Sequence, residues 1–425
     1  MSARKSPVPE VVVTGLGVVS PIGIGISAFW NSLDSQTSGI RRILQFDTSG
    51  VGIACGAEVL DFEAKDFVKP RKSLKVMSRD IQLGVVAATL ATQEAGITAK
   101  SVHPERMGVV FGADMIHCEP DDISNAFRRC IVDGRFDFRL WGKAAMEEIY
   151  PLWMLKYLPN MPACHIAIAH DARGPNNSHS LSECSSLMAI GEAVRVIERG
   201  DADVMIGGGT GTRVQPMIWL RSTLQEVTRR QDAPEKLSRP FDASRDGFVN
   251  GEGAAGLVLE RRDHAQARGA KIWARVVGYG SSHEPRSASR PPDGSGTRRA
   301  IVAALRSAGM GPQDIGHVNA HGLSTVCDDR AEARAIRAEL ADVPVTAPKS
   351  YFGNLAAGTG AVEAIASILA LEHGRVPVTL NYERPDPECP VNVVANRPLD
   401  GAKPTAMLLN HAVMGQSVAV VIAAP

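Results

Sequence analysis

The stretches VVVTGLGVVSPIG at 11–23 and ARVVGYGSSHE at 274–284 share one build: a β-branched strand runs into Gly-x-Gly and then into polar loop residues. Two such openings indicate a fold built twice. Short apolar runs recur between helical stretches: RMGVVFGAD at 106–114, ADVMIGGGT at 202–210, AAGLVLE at 254–260, HVNAHG at 317–322, PVTAPKS at 344–350 and SVAVVIAAP at 417–425. Buried strands alternating with helices predict a layered α/β fold. The echo divides the chain into halves at 1–265 and 266–425, with the charged segment ERRDHAQARGAK at 260–271 as the crossover.

Two stretches depart from this pattern. Residues 115–170 hold four of the ten tryptophan and tyrosine residues, Trp141, Tyr150, Trp153 and Tyr157, and read as an insertion packing over a partner or a channel. HEPRSASRPPDGSG at 283–296 reads as a mobile loop bordering a site.

Composition narrows the class. The chain has 425 residues, 44% hydrophobic, 22% charged and 5% aromatic, which suits a folded α/β protein rather than a disordered or fibrous one. Its 46 basic and 46 acidic side chains cancel, so no net field draws nucleic acid or an anionic membrane. Seven scattered cysteines, never spaced as CxxC, indicate neither a disulfide framework nor a zinc ribbon. No apolar run reaches membrane-spanning length, and MSARKSPVPEVVVTG carries no leader pattern, so the cytoplasm is the expected compartment.

The Gly-x-Gly turn at Gly15 and Gly17 superficially matches a dinucleotide fingerprint. Ser20 stands at its third small position and no acidic residue follows at the required spacing, so nucleotide binding is not expected. Neither a GxxxxGK[ST] loop nor an HExxH pair is present, and no metal site is expected.

Further motifs carry a resemblance. VVVTGLGVVSPIG, SRPFDASRDGFVNGEGAAGLVLE at 238–260, VNAHGLST at 318–325 and PKSYFGNLAAGTGAVEAIASILALEHGRVPVTLNYERPDPEC at 348–389 occur in an order similar to that of the β-ketoacyl-ACP synthase family of type II fatty acid and polyketide systems. The resemblance implies a thiolase fold, two αβαβα halves in five layers, assembled as a dimer. It implies acyl chains carried on the phosphopantetheine arm of an acyl carrier protein (ACP), with no other cofactor.

Family chemistry needs a thiolate nucleophile activated at a helix N-terminus, two imidazoles facing a developing enolate, and backbone N–H groups forming an oxyanion hole. In the family pattern the nucleophile lies nine residues after the glycine of the GP turn and eight before that of the IG pair. Counting from Gly174 and from Gly191 both reach Glu183, which leaves Cys184 one position late. His321 takes the first histidine position, followed by Leu323 where threonine is usual and by Ser324, both expected to line the substrate. Lys349 is kept, and Glu332 is the expected acidic partner of that lysine. Asn354 stands at the second histidine, and NHAVMGQS at 410–417 puts Met414 at a gating phenylalanine.

A carboxylate at position 183 rules out the usual acyl thioester, because an acyl-glutamate is an anhydride. One expectation is a satisfied buried ion network of Glu183, Lys349 and Glu332 in a silent, chain-length-factor-like subunit, a homodimer or the partner of an active ketosynthase. Another is an enzyme using Glu183 and His321 as acid and base on an ACP-bound chain. The third is a conventional synthase whose nucleophile is Cys184.

Overall fold

The computed structural model describes residues 8–98, 100–287 and 289–425. In the first half, β1 (Val11–Ser20), β2 (Met107–Gly112), β3 (Asn176–His179), β4 (Val204–Thr212) and β5 (Glu252–Arg261) lie in the order β1-β5-β4-β2-β3. The first two neighbour pairs are antiparallel and the last two parallel. The second half contains β6 (Ala274–His283), β7 (His317–Asn319), β8 (Pro344–Thr346), β9 (Asn392–Val393), β10 (Thr405–His411) and β11 (Gln416–Ala423). Its order, β6-β11-β10-β7-β8, repeats the same senses, with β9 added at the edge. The sheets meet where Val12 and Val13 of β1 pair with Arg275 and Ala274 of β6.

Period-two side-chain alternation assigns the layers. On β4, Val204 and Ile206 join the outer cluster of α1 (Arg79–Glu94), while Met205 faces the centre of the molecule. On β11, Val418, Val420 and Ile422 face the centre, and Ala419 and Val421 face outward. Between the sheets run two central helices, Ser185–Glu198 and Thr359–His373. Each fully buried Val, Leu or Ile here contributes about 1.5–3 kcal/mol. The central helix TGAVEAIASILALEH is buried at every position from Thr359 to Ala370, as a helix covered on both sides must be.

The Gly-x-Gly turns have a packing explanation in both halves. A Cβ on Gly17 would lie 2.1 Å from the carbonyl oxygen of Ala87 in α1. In the second half, a Cβ on Gly280 would lie 2.3 Å from the carbonyl oxygen of Ala300, in α6 (Ser295–Ala308). Both strands also carry a register irregularity just before the motif, at Val13/Gly15 and at Val276/Gly278. The glycines therefore admit a helix backbone onto the strand, not a pyrophosphate.

The aromatic segment is shorter than its composition indicates. α2 (Pro120–Arg129) and α3 (Trp141–Glu148) enclose a small cluster of Ala126, Cys130, Ala144 and Ile149. α4 (Met161–His170) instead packs Ala163 and Ile166 beside Ile81 and Val85 of α1, so it belongs to the outer layer of the first sheet. The loop after β6 is pinned rather than loose, since Arg286 bonds Glu284 at 2.9 Å and Asp328 at 2.8 Å. No described helix is long and apolar enough to cross a membrane.

Replacing Gly17 by Ala is expected to destabilise the protein by at least about 1–3 kcal/mol, the usual cost of overpacking a close backbone contact. Equilibrium denaturation measures it; a variant as stable as the parent would show that this contact does not constrain the fold.

Candidate active site

The N-terminal ends of the two central helices, α5 (Ser185–Glu198) and α8 (Thr359–His373), meet at one cleft. The Ser186 hydroxyl accepts a hydrogen bond from the Ala361 amide at 3.0 Å and ties the two ends together. Glu183 lies in the single turn that precedes α5, and Asn354 lies just before the turn that precedes α8. Both line a cleft of about 630 Å³, together with Arg213, His321, Leu323, His411 and Met414.

The neighbours Glu183 and Cys184 point apart. Glu183 faces the cleft, where its Oε1 accepts from Asn354 Nδ2 at 2.9 Å and lies 3.6 Å from Arg213. Asn354 Oδ1 accepts from the Ala356 amide at 2.9 Å, which fixes the orientation of the side chain. Arg213 donates to Asn250 at 3.0 Å and lies 4.7 Å over the Phe248 ring. Burial lowers the Arg213 pKa, and the Glu183 charge opposes that shift.

Cys184 is fully buried in the central core, its thiol 3.4 Å from the Gln416 carbonyl oxygen. Burial, reinforced by the Glu183 charge, pushes that thiol well above its ordinary range. A buried thiol with a raised pKa is a poor nucleophile. Cys184 does not line the cleft, which corrects its expected place on the substrate.

A second group forms below His321. Lys349 Nζ lies 2.6 Å from Glu363 Oε1, 2.5 Å from the His321 carbonyl oxygen and 3.2 Å from His321 Nδ1. Asn410 donates to Glu363 Oε2 at 2.8 Å. Burial pushes the Glu363 carboxyl up to about 7, against the opposing effect of Lys349. Burial and the Lys349 charge hold His321 far below the ordinary histidine range. With Lys349 donating to Nδ1, the neutral ring carries its proton on Nε2, which no described group meets.

Glu332 is therefore not the lysine's partner. Its two oxygens accept from the amides of His321 at 2.7 Å and Gly322 at 2.8 Å, and one lies 3.9 Å from His411 Nε2. The reason is topological: Glu363 projects from the central helix beneath Lys349, whereas Glu332 projects from α7 (Val326–Leu340) onto the loop backbone. Glu183, Lys349 and Glu332 accordingly do not form one network. Ser324 is also displaced from its expected role. Its amide donates to Asp329 at 3.0 Å, its hydroxyl accepts from the Arg239 amide at 3.0 Å, and it lies outside the cleft.

Three residues escaped the sequence reading. His411 lies with its ring centroid 4.2 Å from that of His321. Burial lowers its pKa, but contact with Glu332 and the Glu332 and Asp328 charges outweigh this and leave it raised. Arg213 directly follows the buried glycine-rich strand β4 and carries no spacing signal. Glu363 did carry one, as the single charged residue in the buried stretch of α8.

With this geometry established, the comparisons with known proteins identify the family. The model of the "Beta-ketoacyl synthase, N-terminal domain" matches residues 9–265, and that of the "Beta-ketoacyl synthase, C-terminal domain" matches 273–383. A 3-oxoacyl-[acyl-carrier-protein] synthase 2 of Synechocystis is 35% identical over 391 residues, 91% of each chain. The ishigamide ketosynthase/chain length factor superposes with a TM-score of 0.84 at 30% identity, covering 98% of this chain and 99% of that one. A type II PKS acyl-carrier protein in complex with its ketosynthase bound to the hexaketide gives 0.82 at 27% identity, covering 98% and 99%. The chain belongs to the β-ketoacyl synthase family and has its duplicated thiolase fold.

Two outcomes test the site. Under native conditions at mildly alkaline pH, iodoacetamide is expected to label the exposed Cys327 and to leave Cys184 unmodified; rapid labelling of Cys184 in a peptide map would contradict its burial. Glu363→Gln, which leaves Lys349 without its counter-charge, is expected to cost about 3–5 kcal/mol of stability, and pairing it with Lys349→Met to recover most of that loss. Equal stabilities for the two variants in urea would refute the pairing.

Proposed function

We propose that this protein is a non-condensing ketosynthase-fold subunit that binds acyl chains tethered to an acyl carrier protein, in the manner of a chain length factor paired with an active ketosynthase. The observation that carries this reading is the tie of Glu183 to Asn354 and Arg213 at the nucleophile position, with the adjacent thiol turned into the core. A glutamyl anhydride is too reactive to wait for a second substrate, and Asn354 offers a weaker enolate contact than an imidazole. Similarity to a ketosynthase/chain length factor and to an ACP-bound ketosynthase supports the choice of partners.

A second reading rests on His321 and His411. The neutral His321 presents an Nε2–H donor in the same cleft as Glu183, beside a histidine whose pKa is raised. That pair could move a proton on an ACP-bound group without acyl transfer.

Intact-protein mass spectrometry after incubation with acyl-ACP and, separately, malonyl-ACP decides between these readings. No acyl adduct is expected on the parent or on Cys184→Ala, and no turnover in either. An adduct lost in Cys184→Ala would restore a condensing enzyme. Turnover without an adduct, abolished by Glu183→Gln or His321→Gln, would establish the second reading.

A further inference from the structure

A carboxylate and an imidazole N–H open onto the same cleft, and neither is committed to the other. Glu183 uses Oε1 for both its partners, Asn354 at 2.9 Å and Arg213 at 3.6 Å, and its Oε2 accepts no hydrogen bond from a described residue. His321 is buried, with Lys349 at its Nδ1 and an Nε2 that no described group meets. The two stations adjoin: the turn Ser182–Cys184 packs on β10, whose last residue, His411, has its ring 4.2 Å from that of His321. Met115, Phe248 and Leu323 line the same cleft and offer apolar surface to a hydrocarbon.

A carboxylate that forms no lasting acyl bond still has a use beside a thioester, which is to take a proton from the carbon next to the carbonyl. The negative charge that this sends to the carbonyl oxygen needs a fixed N–H to receive it. A carboxylate base and a neutral donor are together the parts with which proton-shifting sites beside a carbonyl are built.

We propose that this site moves the double bond of a carrier-bound 3-enoyl chain into conjugation with its thioester, with Glu183 as the base and His321 as the donor to the carbonyl oxygen. The inference rests on the carrier-bound-chain reading above and adds an activity to it. Glu183 Oε2 takes a proton from C2; the C2–H electron pair forms a C1=C2 bond, and the carbonyl π pair moves onto the oxygen, which accepts a hydrogen bond from His321 Nε2–H. On return, the oxygen pair re-forms the carbonyl, the C1=C2 pair becomes C2=C3, and the C3=C4 pair takes the proton from Glu183 at C4. The C–S bond stays intact, and nothing is oxidised or reduced. A 3-enoyl chain suits a base as weak as a carboxylate, because carbonyl and double bond together acidify C2 and the conjugated product is the more stable isomer. Substrate and product have one mass, so the step is compatible with a subunit that neither condenses nor transfers acyl groups.

The test incubates the full-length protein with 3-octenoyl-pantetheine thioester and follows the conjugated 2-enoyl product by ultraviolet absorbance. The parent is expected to convert the probe well above the rate in buffer. Glu183→Gln, which is isosteric and keeps an oxygen for Asn354, is expected to lower the rate at least about a hundredfold. His321→Gln is expected to lower it by about the same factor, the usual cost of one oxyanion donor, and Cys184→Ala to leave it unchanged. If Glu183→Gln does not fold, Glu183→Asp keeps the charge facing Arg213 but draws the carboxylate back, and a loss of about a hundredfold is expected from the misplacement. No conversion by the parent above buffer, or an undiminished rate in the Glu183 variant, would overturn the inference. Calorimetry with the saturated octanoyl-pantetheine amide separates the two readings: binding without conversion strikes the activity alone, and neither binding nor conversion strikes the chain-binding reading with it.

Discussion

Everything at the site depends on how closely the two central helices approach each other between the sheets. Gly360 sits at that crossing: a Cβ there would meet Asn410 Oδ1 at 2.2 Å and Leu187 Cγ at 2.6 Å. The Ser186 hydroxyl bonded to the Ala361 amide spans the same gap. Interiors packed at this density have discrete arrangements rather than a continuum, so the two helix ends can converge in essentially one way. Glu183 and Asn354 are brought within hydrogen-bond distance because each lies at the entrance to one of these helices.

Charge at the site is divided into groups that satisfy themselves separately. Glu183 is held by Arg213 and Asn354, Lys349 by Glu363 and the His321 carbonyl, and Glu332 by two loop amides beside His411. A buried charge that lacked such partners would cost several kcal/mol. The division also sets the two histidines against each other, since His321 lies over a lysine and His411 beside carboxylates. Burial lowers the pKa of both; the Lys349 charge lowers His321 further, whereas Glu332 and Asp328 outweigh burial and leave His411 raised.

Much of this was legible along the chain. The paired Gly-x-Gly strands announced the duplication because a helix pressed onto a strand demands glycine in each copy. Position 183 was legible because the turn and the following helix frame it from both sides, and the one-residue step to Cys184 does turn the side chain from cleft to core. The partner of Lys349 was not, since Glu332 and Glu363 are both acidic residues on helices downstream of a motif strand or loop. Which of them lies beneath the lysine depends on layer order. His411 stands in the stretch NHAVMGQS at 410–417, where nothing local marks it as the neighbour of His321.

The sequence by itself determined the duplicated α/β architecture and the family, because these are properties of local pattern and motif order. Only the tertiary structure decided that Arg213 answers Glu183, that Glu363 answers Lys349, and that Ser324 and Cys184 lie off the cleft. Those facts join residues far apart in the chain across different layers. Spacing along one element carries no information about which side chain of another will meet it.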